Sequence, residues 1–236
     1  MDFEGKAMKF KCVALDVDGT ITEEEHYVTP GIPTLLRMLE RFGFKVILVS
    51  GRSIWEIYTL AAIFGTTRVG VGENGGAVVY KNPLDVYLLG DITEPLKTLH
   101  RLSELLPNVR VRRGFPRLTE VVLERTIDIE EANRIIRKEG LKTKVVDSGF
   151  ALHIVADYVD KGKGLLKACE LLGIDREEVI AIGDSDTDVE MFKVAGFSIA
   201  VGNATELAKK EANLVVKSSR GRGVEEAISY IFKELR

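Results

Sequence analysis

A doubly wound α/β fold, with a Rossmann-like parallel sheet interrupted by an inserted α+β unit, is what this sequence predicts. Three observations lead there. Short runs dominated by apolar residues recur at positions 13–15, 44–49, 68–71, 179–182, 197–201 and 214–216, as in strands covered on both faces. Stretches of helical periodicity separate most of them. Between residues 82 and 156 this alternation gives way to paired strands in the order αββαββ, the mark of hairpins and not of βαβ crossovers.

The chain has 236 residues, 45% of them hydrophobic, enough for a large domain carrying a smaller one. The expected division is 1–81 and 157–236 for the large domain and 82–156 for the insertion. A net charge of −3 offers no electrostatic basis for a nucleic-acid or anionic membrane partner. Cys12 and Cys169 lack metal-ligand spacing and read as buried thiols of a reducing compartment. The first residues have no signal-peptide core and no run approaches a membrane span, so the expected location is cytoplasmic; Met8 is an alternative start. A homodimer is left open.

In chain order, the first strand ends abruptly in Asp16, Val17, Asp18, Gly19 and Thr20. Leu35, Leu36, Leu39 and Phe42 then space an amphipathic helix that Gly43 ends. The strand at 44–49 closes on Ser50, Gly51 and Arg52, and Ser53 starts a helix running to about Phe64. Spacing alone does not decide whether Trp55 and Tyr58 belong to core or interface. A strand at 68–71 and another at 77–80 flank Glu73, Asn74, Gly75 and Gly76, a strong hairpin signal. Lys81, Asn82 and Pro83 read as the exit toward the insertion. There the pattern predicts helices at 92–106 and 128–139 and strands at 109–113, 118–123, 144–147 and 151–155. A helix at 161–172, a strand at 179–182, a helix opened by Asp184, strands at 197–201 and 214–216 with a helix between, and a last helix at 223–235 complete the chain.

The chemistry concentrates at strand ends, the edge where open α/β sheets bind ligands. Asp16 and Asp18 lie so close that like charges repel, unless one keeps its proton or a hard cation such as Mg²⁺ sits between them. Ser50 and Gly51 sit where a strand meets a helix start, a place suited to phosphate because backbone N–H groups and the helix dipole favour an anion. Asp184, Asp186 and Asp188 put three acids in five residues, more than helix capping needs.

The DVDGT run resembles the first motif of the haloacid dehalogenase (HAD) superfamily of phosphohydrolases. Ser50-Gly51-Arg52, Asp160-Lys161-Gly162 and Gly183 to Asp188 are similar to its other motifs. The resemblance implies a nucleophile at Asp16, an acid and base at Asp18, a charge-neutralising Lys161 and phosphate contacts from Ser50, Gly51 and Lys161. It also implies that Mg²⁺ is held among Asp16, Asp18, Asp184 and Asp188, with Asn203 at the edge of the site. Thr187 departs from the pattern, which has Asn there. The insertion is similar to a minimal type IIB cap, as in the archaeal-type phosphoglycolate phosphatases, and so implies a small phosphate ester, 2-phosphoglycolate foremost, hydrolysed through an aspartyl-phosphate. A sugar-phosphate phosphatase or a phosphomutase of the same superfamily, and a receiver-like phosphoacceptor module, are the alternatives. Arg110, Arg112, Arg113, Arg117, Lys144 and His153 are the insertion's candidates for binding a substrate carboxylate.

Overall fold

The computed structural model describes residues 9–24 and 27–234. The alternative start at Met8 and the expected helix end at Leu235 lie outside them. An eight-stranded sheet has the order β11-β10-β9-β1-β2-β3-β4-β5. Its members are β1 (Cys12–Leu15), β2 (Lys45–Val49), β3 (Val69–Gly72), β4 (Ala77–Tyr80), β5 (Asn82–Leu88), β9 (Val179–Gly183), β10 (Phe197–Ala200) and β11 (Leu214–Val215). All neighbours pair in parallel except β3 with β4 and β4 with β5.

Strand alternation divides the core between the two faces. Val13 and Leu15 pack with α1 (Ile32–Arg41), α8 (Arg220–Glu234) and the inner side of α2 (Ile54–Phe64). Cys12 and Ala14 face α5 (Lys161–Leu172), α6 (Val189–Val194) and α7 (Glu206–Glu211). The two cysteines are free and buried in this second layer, where burial pushes the Cys169 thiol up to about 12. Among the described residues no helix is long and apolar enough to cross a membrane.

Parallel register decides where the chemistry falls. Leu15 lies level with Leu48 on one side and Ile182 on the other, so β1, β2 and β9 all end at one edge. Asp16 N–H still bonds the Ile182 carbonyl and Ser50 N–H the Val71 carbonyl, which holds both residues at that edge.

One expected boundary moves. Lys81, Asn82 and Pro83 are not an exit, because Asn82–Leu88 pairs antiparallel with β4 and extends the large sheet. Pro83 is tolerated because this is the outermost strand. Trp55 and Tyr58 pack beneath it with Val86 and Leu118. Beyond it, α3 (Thr93–Leu105) and α4 (Ile129–Lys138) cover a three-stranded antiparallel sheet of β6 (Val121–Leu123), β8 (Leu152–Ala156) and β7 (Thr143–Asp147). The strand expected at 109–113 shrinks to a single bridge between Val111 and Leu123. Leu152 and Ile154 belong to this unit's own core, so His153 and Val155 face the other way.

Candidate active site

Asp16 is buried at the end of β1. Its Oδ1 accepts a hydrogen bond from Lys161 Nζ at 2.7 Å, while the buried Oδ2 has no hydrogen-bond partner among the described residues. The same Nζ reaches Asp188 Oδ1 at 2.6 Å. Lys161 starts α5, whose Asp160 accepts from Lys163 N–H as the helix cap. Asp188 Oδ2 in turn accepts from the N–H groups of Asp184 and Ser185 and from Ser185 Oγ, each at 2.9 Å. Those bonds wind the loop after β9 into a 3-10 turn and aim Asp184 at Asp16. Gly183 permits the wrap, since a Cβ there would come within 2.6 Å of the Asp188 carboxylate.

Asp184 is held from the first strand's loop. Thr20 Oγ1 donates to its Oδ1 at 2.9 Å, and Asn203 Nδ2, which also donates to the Gly19 carbonyl at 2.9 Å, lies 3.4 Å from its Oδ2. Gly19 has φ +86°, and a Cβ on it would stand 2.3 Å from Asp184 Oδ2. Left-handed backbone and close approach together require glycine here.

The electrostatics follow from this crowding. Burial, and next the charge of Asp188, hold the Asp16 carboxyl well above the usual carboxylate range against the pull of Lys161. Burial and Asp188 push Asp184 up to about 6, against the Thr20 hydrogen bond. Burial alone would lower the Lys161 ammonium, but Asp16 and Asp188 outweigh it and raise it. One oxygen each of Asp16, Asp184 and Asp188 lies within 4.8 Å of the others. Three carboxylates near one ammonium leave an excess of negative charge, and Asp16 Oδ2 lacks a donor among the described residues. An all-oxygen donor set of this kind fits a hard divalent cation.

The Asp18 carboxylate, expected in the metal set, is engaged by another side chain. Arg52 donates from Nε to its Oδ2 at 2.9 Å and from Nη2 to its Oδ1 at 2.6 Å, so both oxygens meet a guanidinium. Ser50 is buried, and its Oγ accepts from Arg52 N–H at 3.1 Å. Asp16, Asp18, Ser50, Gly51, Arg52 and Lys161 line one cavity of about 210 Å³. Asn203 lies outside that cavity and supports the Gly19 loop. Thr187 bonds Ser185 Oγ at 2.8 Å.

A family model for haloacid dehalogenase-like hydrolases matches residues 13–105 and 112–228. The chain belongs to this family. It is 42% identical over 222 residues to a phosphoglycolate phosphatase of Nitrosopumilus maritimus, covering 94% of this chain and 96% of that one. A phosphoglycolate phosphatase of Methanosarcina acetivorans is 35% identical, with 95% and 97% covered. In structure it is similar to Thermoplasma acidophilum 0175, with a TM-score of 0.83 at 23% identity over 94% of this chain and 98% of the other, a likeness of fold. A haloacid dehalogenase-like hydrolase of Bacteroides thetaiotaomicron superposes with a TM-score of 0.73 at 25% identity, covering 95% and 100%.

The cations expected of the hydrolase's insertion scatter. Arg117 and His153 reach the cavity. Lys144 lines a separate cavity of about 330 Å³ that shares Lys161 in its wall. Arg112 stacks 4.1 Å over the Phe150 ring and pairs with Glu124, and Arg110 and Arg113 line an outer groove. Sequence reasoning passed over Arg52, although it completes the Ser-Gly-Arg run, and over Thr20. Glu120, which carried no signal at all, is fully buried and accepts from Asn74 Nδ2 at 2.9 Å and from Arg117 Nη1, with His153 Nδ1 at 3.1 Å. Glu73 Oε2 accepts from the N–H groups of Leu118 and Thr119 at 2.8 and 2.7 Å, tying the turn after β3 to the same segment.

Proposed function

We propose that this hydrolase is a Mg²⁺-dependent phosphomonoesterase that removes phosphate from 2-phosphoglycolate through an aspartyl-phosphate on Asp16. The observation that carries the reading is the buried Asp16 Oδ2, without a hydrogen-bond partner among the described residues, beside an ammonium that bonds Asp16 Oδ1 and Asp188. The printed names of the relatives supply the substrate. Buried free thiols suit a cytoplasmic enzyme.

Asp16 attacks phosphorus as the ester P–O bond breaks. Lys161, Ser50 and the Gly51 N–H bind the phosphoryl oxygens, Lys161 with the proton its two carboxylate bonds leave over. Asp18 gives a proton to the leaving alcohol, then takes one from the water that attacks the aspartyl-phosphate, and Asp16 leaves as the carboxylate. Mg²⁺, when bound by Asp16 and Asp184, supplies positive charge to phosphoryl oxygen and carboxylate alike. Asp188, spent on Lys161 and on its own loop, supports that pair from behind. The large sheet, through Leu88 and again from residue 157, performs the chemistry, and the unit between them selects the leaving group.

Phosphate release from 2-phosphoglycolate and a panel of sugar phosphates, with Mg²⁺ and with EDTA, tests this. The expected result is metal-dependent release, fastest from 2-phosphoglycolate. Equal release in EDTA, or a sugar phosphate as the best substrate, overturns it.

A further inference from the structure

The proposed reaction needs a group that distinguishes a phosphorylated acid from any other small phosphate ester. We infer that Arg117 is that group, binding the substrate carboxylate through Nε and Nη2; this rests on the reading of the substrate as a phosphorylated acid.

The inserted unit offers few choices. Of its six cations singled out above, Arg117 and His153 line the cavity that holds Asp16, Asp18 and Lys161. His153 is spent: Nδ1 lies 3.1 Å from Glu120 Oε1 and Nε2 lies 3.0 Å from Ser148 Oγ. From the large sheet's side, Arg52 is spent as well, with Nε and Nη2 both on Asp18.

Arg117 is anchored by a different edge. Its Nη1 donates to the Gly51 carbonyl at 2.6 Å and to Glu120 Oε1. No hydrogen bond from its Nε or Nη2 is found among the described residues, and Nη2 makes a long ion pair of 3.9 Å with Glu56 Oε2. Glu56 is otherwise engaged, its Oε2 accepting from Ser53 N–H at 3.0 Å. Nε and Nη2 are the parallel pair that grips a carboxylate side-on, as Arg52 grips Asp18. Arg117 therefore presents a carboxylate-binding edge that meets only a long ion pair with Glu56 and no hydrogen-bonded carboxylate among the described residues, and its side chain is only 18% exposed.

The support behind it is built for aim. Glu120 is fully buried and carries Arg117, His153 and Asn74 together, and Asn74 belongs to the turn at the end of β3. The Gly51 carbonyl fixes the other side of the guanidinium one residue from Ser50, where the phosphate is read. The distance between the phosphate position and the acid position is thus set by one short, doubly tied strut.

The test compares two esters of matching skeleton, 2-phosphoglycolate and 2-hydroxyethyl phosphate, in the 236-residue protein. The readout is the ratio of their kcat/KM values, which does not depend on how much of a preparation is folded. Arg117→Met is expected to lower the ratio about 10- to 100-fold, chiefly through KM for the acid. Arg117→Lys keeps the charge without the fork, and is expected to lower it less, by at least about threefold. Arg117→Lys decides the matter if Arg117→Met yields no active protein. A purely structural Arg117 would weaken both esters together. A ratio within threefold of wild type in the variants that are active overturns the assignment of Arg117 alone. A wild type with no preference for the acid overturns the phosphoglycolate reading and this inference with it.

Discussion

Two buried carboxylates, Asp16 at the edge of the large sheet and Glu120 beneath the small one, share the same degree of burial and differ in everything around them. Asp16 has two acids and one ammonium as neighbours and one oxygen without a partner, and its carboxyl is held well above the usual range. Glu120 pays the same desolvation, yet His153, Arg117 and Asn74 outweigh it and leave its carboxyl below that range. Burial sets the cost in both places; the donors decide whether it is met within the protein. Where they are missing, the protein is prepared for a ligand, and where they are complete, it is prepared to hold still.

That contrast can be broken by experiment, the largest effect first. Asp16→Asn should lower kcat at least about 10³-fold, the scale of losing a covalent nucleophile. Its melting temperature should rise, because the exchange removes charge from a crowded, desolvated cluster. A melting temperature that falls instead would mean the carboxylate is held there for stability. Glu120→Ala should do the reverse, costing about 3–5 kcal/mol in urea unfolding by stranding Arg117 and His153.

Glu120→Gln adds a pH signature. A carboxyl held below its ordinary value stabilises the fold fully above that value and loses the contribution as pH falls through the folded one. The gap between wild type and Glu120→Gln should therefore narrow below about pH 4, and a gap constant with pH would remove Glu120's charge from the account.

Mg²⁺ at 100 times its dissociation constant should stabilise the wild type by about 2.7 kcal/mol. Asp184→Asn should abolish most of that shift, read as melting with Mg²⁺ against EDTA. Smallest is Ser53→Ala, which touches neither carboxylate but opens the capping box with Glu56, at a cost of about 1 kcal/mol. A larger loss would show that Glu56 also braces Arg52 and Arg117.

Much of the large sheet was legible because its strands are buried on both faces and so read as apolar runs. Asn82–Leu88 was not, since it is an outer strand, largely exposed, with Pro83 near its start and a register shift at Val79 and Tyr80. The strand expected at 109–113 faded for a related reason: Arg110, Arg112 and Arg113 have little to bury, and pairing survives only at Val111. Within the site, Asp16, Ser50 and Lys161, which the motifs single out, line one cavity, and Asp184 joins Asp16 in one acidic cluster. Asp18 lines that cavity too, with a partner the motif did not disclose.

Local sequence determined which residues could end a strand, open a helix or turn left-handed, because those properties belong to a few neighbouring residues at a time. Gly19 and Lys161 are of that kind. The pairing of charges was settled by tertiary structure alone. Lys161 meets Asp16 across 145 positions and Thr20 meets Asp184 across 164, while Glu120 collects donors from the turn after β3 and from β8. No local pattern encodes such meetings, since they depend on parallel register and on how one sheet lies over the other.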